Sequence, residues 1–215
     1  MERAKQEALE YIEQRSDLLF DMSDRIWEHP QVGFTEHYAA QLFSETLEKE
    51  GFTVERGVGD IPTSVVGTYG NGGPVIGFLG EFDALPGLSQ EAGLVEKKPL
   101  VKDGPGHGCG HNLLGTGAFA AALSLKHYLE VNHRPGTVKF FACPAEEGGS
   151  GKGFMARAGV FNGLDAAFTW HPGTVNSAPP RAPWPTIRCA TTFTALRPTR
   201  PCRRSWAGAP WMRWN

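Results

Sequence analysis

Cysteine is scarce in this 215-residue chain, and long apolar runs are missing. Four widely spaced cysteines are too few for a disulfide scaffold and favour a reducing, cytoplasmic compartment; they are Cys109, Cys143, Cys189 and Cys202. No apolar stretch approaches the roughly 18 residues that cross a bilayer. The N-terminal segment also lacks the basic start and apolar centre of a signal peptide. We therefore expect a cytoplasmic protein that does not bind a membrane.

An excess of charge of either sign is also missing. The formal net charge is −2 at pH 7, and 20% of the residues are charged. Because nucleic acids and acidic membrane surfaces are bound through basic patches, the composition predicts neither partner. Hydrophobic residues make up 40% of the chain, which is enough for one good core.

Hydrophobic periodicity predicts helices that alternate with strands. The predicted helices cover 3–28 in two segments, 36–49, 113–129 and a short stretch near 153–158. The predicted strands cover 52–58, 63–69, 74–79, 137–143 and 166–170. A long loop rich in glycine and proline spans 80–110. This order predicts an α/β fold with a mostly parallel sheet flanked by helices, in which polar residues at strand ends gather at one edge.

The segment GHGCGHN contains a thiol and two imidazoles within five residues, at His107, Cys109 and His111. Cys and His are good ligands for zinc and similar divalent ions, and the intervening glycines allow a tight backbone turn. Taken alone, a glycine-rich turn with incidental polar side chains explains the segment equally well.

Glu146 and Glu147 follow the predicted strand 137–143 in the segment PAEEGG. Because adjacent carboxylates at a strand end cannot both point the same way, one can bind a metal ion while the other acts as general base on a water. Acidic residues are also common at the start of solvated helices. Taken alone, the pair favours that simpler explanation.

His171 ends the last predicted strand, in the segment WHPG, as a metal ligand or as a polar residue at a sheet edge. Glu81 and Asp83 follow the strand 74–79, where Asp83 either orients a ligand or forms a turn before Pro86. Several separate strand ends thus supply metal-binding side chains. One shared metal site explains this combination better than chance.

Two glycine-rich stretches resemble nucleotide-binding motifs without meeting their requirements. GTGAFA at 115–120 does not directly follow a strand, and GSGK at 149–152 lacks the first glycine of a phosphate loop, where Glu146 lies. We reject a nucleotide-binding module on these grounds.

The ordered segments GEFDALPG, GHGCGHNLLGTG, ACPAEEGG and TWHPG resemble the zinc-type aminoacylase and carboxypeptidase family, metallopeptidase family twenty. The resemblance runs from about residue 10 to about residue 187, and is greatest to the amidohydrolase branch that includes aminobenzoyl-glutamate hydrolase. It implies a zinc-peptidase-like catalytic domain with a divalent metal cofactor (Zn, Mn or Co). It also implies cleavage of an amide bond in small molecules such as N-acyl amino acids or aminobenzoyl-glutamate-like substrates.

Matching the family motifs assigns roles to individual residues. The resemblance implies metal ligands at Cys109, His111, Glu147 and His171. It implies that Glu146 is the catalytic acid/base and that Asp83 is the acidic residue of the catalytic group beside the metal. His107 precedes the Cys-Gly-His core and is not expected to be a ligand.

Residues 188–215 differ in character from the rest of the chain. They contain six arginines, three tryptophans, and no acidic residue or lysine. Trp and Met codons always end in G, so a shift of one base gives Gly across Trp206-Ala207 and Asp across Trp211-Met212, which is compatible with the family's lid domain. We hypothesise that this tail is out of frame, and resequencing the DNA across codons 187–195 tests it.

We therefore expect two regions. Residues 1–187 would be the N-terminal part of a metallohydrolase catalytic domain, and residues 188–215 an aberrant basic tail in place of the lid domain. In the family that lid carries the usual homodimer surface, and the part beyond residue 188 supplies a further histidine ligand. We expect weak or absent activity from such a chain, with a non-catalytic metal-binding remnant as the alternative.

Overall fold

Three amphipathic helices begin the chain in the computed structural model, which describes residues 2–173 and the side chains from residue 3 onward. They are α1 (Glu2–Gln14), α2 (Ser16–Glu28) and α3 (His37–Lys49). Leu19, Met22 and Ile26 of α2 are buried at helical spacing, as its apolar stripe requires. All three helices lie where the sequence predicts them.

Five strands form one sheet in the order β1-β2-β4-β3-β5. Their bounds are β1 Thr53–Arg56, β2 Val65–Asn71, β3 Val75–Glu81, β4 Gly136–Cys143 and β5 Ala166–Phe168. β3 pairs in parallel with β4 and β5, whereas β2 is antiparallel to β1 and β4. Four strands therefore share one direction and β2 is reversed.

The predicted α/β class and its flanking helices are confirmed, and the sheet is mixed. Strands β1 and β2 are separated only by residues 57–64, which include a short 3-10 helix, Val58–Asp60. A connection this short joins antiparallel neighbours, because a parallel crossover needs a dozen or more residues. Local periodicity does not show that β4 lies between β2 and β3.

The main core lies between one face of the sheet and the helices, including the long α4 (His111–Val131). Phe43 of α3 lies in it, with its ring centroid 5.7 Å from that of Phe82, 6.2 Å from that of Phe119 and 5.2 Å from that of Phe140. The opposite face carries a smaller cluster that includes Phe141 and Cys143. Alternate residues of β4 thus enter two different cores.

Close backbone packing brings the start of α4 against the end of β3. A Cβ atom on Gly115 would lie 2.8 Å from the carbonyl oxygen of Glu81, and one on Gly80 would lie 2.9 Å from Cα of Gly115. Both distances are shorter than real Cβ contacts allow, so these positions require glycine. The first glycine of GTGAFA, Gly115, therefore serves helix–strand packing, which places His111 beside the acids at the end of β3.

Two short helices follow β4, namely α5 (Glu146–Gly149) and α6 (Gly151–Arg157). None of the helices within residues 2–173 combines the length and apolarity needed to cross a bilayer. Cys109 and Cys143 are free thiols. The predicted boundary at residue 188, the basic tail, Cys189 and Cys202 lie outside the described residues.

Candidate metal centre

The carboxyl ends of three parallel strands meet at one edge of the sheet. β3 ends at Glu81, β4 at Cys143 and β5 at Phe168. Every acidic or histidine residue predicted to belong to the site either follows one of these strands or, like His111, lies at the start of α4. Open α/β sheets place their ligand sites at such an edge.

His111 is the central residue of this cluster, with a fully buried side chain. Its Nδ1 atom lies 3.0 Å from both the carbonyl oxygen and Oδ1 of Asp83. Both partners only accept, so Nδ1 carries a proton and donates to them. Nε2 therefore faces the other acids, which are Glu81 (Oε2 at 3.1 Å), Glu147 (Oε1 at 3.9 Å) and Glu146 (Oε2 at 4.0 Å).

Cys109 and His171 also lie beside His111. The Sγ atom of Cys109 is 3.3 Å from Nε2 of His171, and the rings of His111 and His171 have centroids 5.6 Å apart. The ligand atoms of Cys109, His111 and His171 all lie within 4.8 Å of one another. The same holds for Glu81, His111 and Glu146. Two ligand groups therefore share His111.

The turn that carries the glutamate pair is fixed by buried hydrogen bonds. Ala145 adopts a left-handed backbone conformation (φ 55°), and its N–H donates to Oε1 of Glu36 at 2.8 Å. The fully buried Glu36 also accepts a hydrogen bond from the Thr63 hydroxyl at 2.9 Å. The N–H of Glu147 donates to Oδ2 of Asp83 at 2.8 Å. Asp83 thus positions both His111 and the backbone of Glu147.

Electrostatic interactions stabilise a positive charge at the centre. Burial lowers the pKa of His111, but the neighbouring Asp83, Cys109 and Glu81 side chains outweigh it and raise that pKa to about 12. Burial raises the pKa of Glu81, but His111 and Lys152 outweigh it and lower that pKa to about 2. The ammonium group of Lys152 pairs with Oε1 of Glu81, the oxygen not aimed at His111.

Burial is the largest influence on the pKa values of the Cys109 thiol and the Glu147 carboxyl, and it raises both. A nearby cation would reverse this influence, because it favours the thiolate and the carboxylate. His107 has the opposite environment. Burial lowers its pKa to about 4, and its Nε2 lies 3.1 Å from the carbonyl oxygen of Ile26 rather than in the ligand cluster.

The chemistry of these donors fits a divalent cation. Nε2 of His111 and Oε2 of Glu81 lie buried 3.1 Å from each other without forming a hydrogen bond of normal geometry, and within residues 2–173 neither has another hydrogen-bond partner. Polar atoms so deeply buried need a partner, and both atoms are ordinary metal ligands. A thiol, two imidazoles and two carboxylates form the two groups that share His111, and these are ligand types of zinc-type sites.

All six predicted site residues lie in this cluster. Cys109, His111 and His171 come together directly, and Glu147 lies beside Nε2 of His111. Glu146 forms a ligand group with Glu81 and His111. Asp83 contacts His111 from the other side of the ring, through Nδ1. The division of these residues into ligands, proton carrier and positioning residue stays a prediction.

Sequence reasoning assigned no role to Glu81, Glu36 or Lys152. A usable signal existed for Glu81, because it lies two residues before Asp83 at the same strand end and so belongs to the same face. No comparable signal exists for Glu36 or Lys152, because the residues they bind lie far away along the chain. Glu36 binds Ala145, 109 residues away, and Lys152 binds Glu81, 71 residues away.

Metal binding is expected to release a proton from His111. In the metal-free protein the raised pKa keeps this imidazole protonated near neutral pH, and a metal ion can bind only the deprotonated nitrogen. Because the Cys109 thiol, whose pKa burial also raises, must lose its proton as well, apparent affinity for Zn²⁺ should rise by at least about tenfold per pH unit between about pH 7 and 9. Calorimetric titration in buffers of different ionisation enthalpy measures the released protons. Affinity independent of pH over this range would contradict the expectation.

Comparison with known proteins gives three results for the sequence. A family model described as Peptidase family M20/M25/M40 matches residues 77–191. A p-aminobenzoyl-glutamate hydrolase subunit of Escherichia coli (strain K12) is 54% identical over 152 residues, which cover 71% of this chain and 32% of that protein. The Xaa-Arg dipeptidase of Homo sapiens is 31% identical over 194 residues, covering 83% of this chain and 41% of that protein. The chain thus spans well under half the length of these relatives.

Solved structures agree with the fold. A dinuclear metal-binding peptidase of the M20 family from Bacillus subtilis has a TM-score of 0.61 at 30% identity, covering 73% of this chain and 43% of that one. An aminobenzoyl-glutamate utilization protein from Klebsiella pneumoniae has a TM-score of 0.58 at 20% identity, covering 78% of this chain and 46% of that one. The second similarity bears on the fold alone.

Proposed function

Because the chain belongs to peptidase family M20/M25/M40, we propose that its site is that of a metal-dependent amidohydrolase. The observation that carries the proposal is a pair of ligand groups that share the buried His111, one with Cys109 and His171 and the other with Glu81 and Glu146. Within each group the ligand atoms lie within 4.8 Å of one another. The substrate class we propose is a small-molecule amide of the p-aminobenzoyl-glutamate or N-acyl amino acid type. The 54% identity to the Escherichia coli hydrolase subunit supports it.

We assign the metal ligands to Cys109, His111, Glu147 and His171, with Glu81 as a further candidate. When bound, a divalent ion supplies Lewis-acid chemistry, which polarises an amide carbonyl and acidifies water. Zn, Mn and Co all remain candidates, since the thiol favours a softer ion while imidazole and carboxylate accept several. The similarity to a dinuclear metal-binding peptidase supports one or two ions.

The chain's own residues then move the proton. Glu146, whose Oε2 lies 4.0 Å from Nε2 of His111, accepts a proton from the attacking water and donates it to the leaving amine. Asp83 fixes the tautomer of His111 through Nδ1, so that Nε2 faces the ligand group. Lys152 balances the charge of Glu81 from the opposite oxygen.

The competing proposal is a chain that binds metal without turnover. Its support is the same pair of ligand groups, because thiol, imidazole and carboxylate side chains can hold a divalent ion without cleaving an amide. The Escherichia coli relative is by its name one subunit of a hydrolase. Together with the homodimer that the family resemblance implies, this makes a protein partner part of the proposal. A cytoplasmic location stays a prediction.

Metal analysis together with an amidase assay on the full 215-residue chain tests the function. We expect bound divalent metal and slow release of p-aminobenzoate from p-aminobenzoyl-glutamate, abolished by a chelator and restored by Zn²⁺, Mn²⁺ or Co²⁺. Stoichiometric metal without chelator-sensitive turnover would favour the non-catalytic alternative. A folded chain that binds no divalent metal would contradict both proposals.

A further inference from the structure

A wedge formed by residues 31–36, between α2 and α3, lies against two of the strand ends that carry the acids of the metal centre. The backbone N–H of Ala84, which follows Asp83, donates to the carbonyl oxygen of Gln31 at 2.9 Å. Val32 and Ala84 also form an isolated parallel bridge. The wedge is thus tied through its backbone to the strand end that carries Asp83.

The wedge also packs against the turn that carries the glutamate pair. A Cβ atom on Gly33 would lie 2.9 Å from both Cα and Cβ of Ala145, and 3.7 Å from Oδ2 of Asp83. The first two distances are shorter than real Cβ contacts allow, so this position requires glycine. A Cβ atom on Gly149, at the end of the same turn, would meet the ring of Phe34. The wedge therefore contacts the glutamate turn at both of its ends.

Glu36, the last residue of the wedge, holds the glutamate turn by a hydrogen bond. Its fully buried carboxylate accepts the Ala145 N–H through one oxygen and the hydroxyl of the buried Thr63 through the other. Ala145 directly precedes Glu146, and its left-handed backbone (φ 55°) is uncommon for a residue other than glycine. Without Glu36 the buried N–H of Ala145 would lose its acceptor, which is costly.

Hydrogen bonds join the wedge and the two strand ends into a closed loop. The wedge binds Ala84 and Ala145, each one residue away from an acid of the centre. Asp83 in turn accepts the N–H of Glu147 at 2.8 Å. Because the loop is closed, a displacement of the wedge changes the position of Glu147 relative to Asp83.

We propose that the wedge sets the separation of Asp83 from Glu146 and Glu147, with Glu36 as its positioning residue. The inference rests on the proposed function, in which these acids surround a divalent ion. Glu36 acts through the backbone of the glutamate turn, since its oxygens accept from Ala145 and Thr63. Ligands that are poorly positioned bind a metal ion less tightly, because moving them into place costs binding free energy.

Two substitutions of Glu36 separate its hydrogen bonds from its bulk. Glu36→Gln keeps an acceptor for the Ala145 N–H, and its amide can donate to the Thr63 hydroxyl, so this conservative variant should bind Co²⁺ like the original chain. Glu36→Leu removes both acceptors and should weaken Co²⁺ binding by about tenfold. The full 215-residue chain is titrated with Co²⁺, and the visible spectrum of the bound ion should change only in the leucine variant. Equal Co²⁺ affinity in the two variants would overturn the proposal.

Gly33→Ala disturbs the wedge without removing a hydrogen-bonding group. The added methyl group would displace Ala145, so a similar loss of Co²⁺ affinity is expected. Leu47→Ala is the control for general destabilisation, because Leu47 is fully buried on α3 and packs against Gly67 of β2. It should lower the melting temperature and leave Co²⁺ affinity unchanged. An equal loss of affinity in Leu47→Ala would count against a positioning role.

Amide hydrogen exchange in the chelator-treated chain tests the wedge without a metal ion. Glu36→Leu should accelerate exchange of the Glu147 N–H about tenfold more than Leu47→Ala does, although that group is bound to Asp83 and not to Glu36. Faster exchange at Ala145 alone would overturn the proposal, because Glu36 would then hold only its direct partner.

The outcome is separable from that of the proposed function. Faster exchange at Glu147 in a chain that binds no Co²⁺ would support the wedge and count against the proposed function. Metal-dependent turnover, with Co²⁺ affinity and Glu147 exchange both unchanged in Glu36→Leu, would refute this inference alone.

Discussion

Replacing His111 with glutamine is expected to lower the affinity for divalent metal by at least about 100-fold. Loss of a group that merely orients a ligand costs about 10–100-fold, and His111 belongs to both ligand groups of the centre. The substitution also removes the positive charge that faces Asp83 and Glu81 in the metal-free protein. Metal content after dialysis and titration with a chromophoric chelator measure the effect.

His107→Gln is the matched control for this variant. Both histidines lie in the segment GHGCGHN and both are buried, but His107 contacts the Ile26 carbonyl instead of the ligand cluster. Its replacement should leave the metal content unchanged. Because His111→Gln can also weaken the fold, a second variant is made at a ligand that is only half-buried, namely Cys109→Ser. The Co²⁺ form of this variant should lose the thiolate charge-transfer band. Equal metal loss in both histidine variants would contradict the assignment.

Replacing Glu146 with glutamine is expected to remove the metal-dependent turnover of the chain and to leave the metal in place. A positioned general base contributes about 10²–10⁴-fold to rate, and glutamine cannot accept the proton. The side chain of Glu146 is 31% exposed, compared with 14% for Glu147, which is consistent with a residue that meets water. Release of p-aminobenzoate and metal content are measured on the same preparation.

Glu147→Gln is the neighbouring comparison. Its carboxylate lies 3.9 Å from Nε2 of His111 and its backbone N–H is bound to Asp83. As a proposed ligand it should lose metal affinity along with any turnover. The two variants therefore separate the roles of adjacent residues. Loss of metal from Glu146→Gln with retention in Glu147→Gln would mean that the two roles are reversed, an outcome for which the proximity of Glu146 to Glu81 and His111 gives a specific reason.

The sequence predicted the helices and strands well because their signals are local. The apolar spacing in α2 and α3 and the short apolar run of β4 each depend on neighbours a few residues away. The four-residue helix α5 was missed, since it is too short to show a period. Its two acids, Glu146 and Glu147, nevertheless lie in the cluster around His111, as predicted.

The order of the strands could not be predicted in the same way. Insertion of β4 between β2 and β3 depends on packing between segments more than 60 residues apart. The reversed direction of β2 follows from that arrangement together with the short β1–β2 connection. Periodicity reports which side of a strand is buried, and it contains no information about which strand lies beside it.

By itself, then, the sequence placed metal-binding side chains after β3, β4 and β5 and at the start of α4, and the family resemblance assigned the ligand roles to Cys109, His111, Glu147 and His171. Only the tertiary structure decided that His111 lies at the centre, that Glu81 joins it and that Asp83 lies behind it. It also decided that Glu36 fixes the glutamate turn from the other end of the chain. The physical reason is that ligand chemistry belongs to individual side chains, whereas a shared site depends on distances that only the packed sheet and α4 establish.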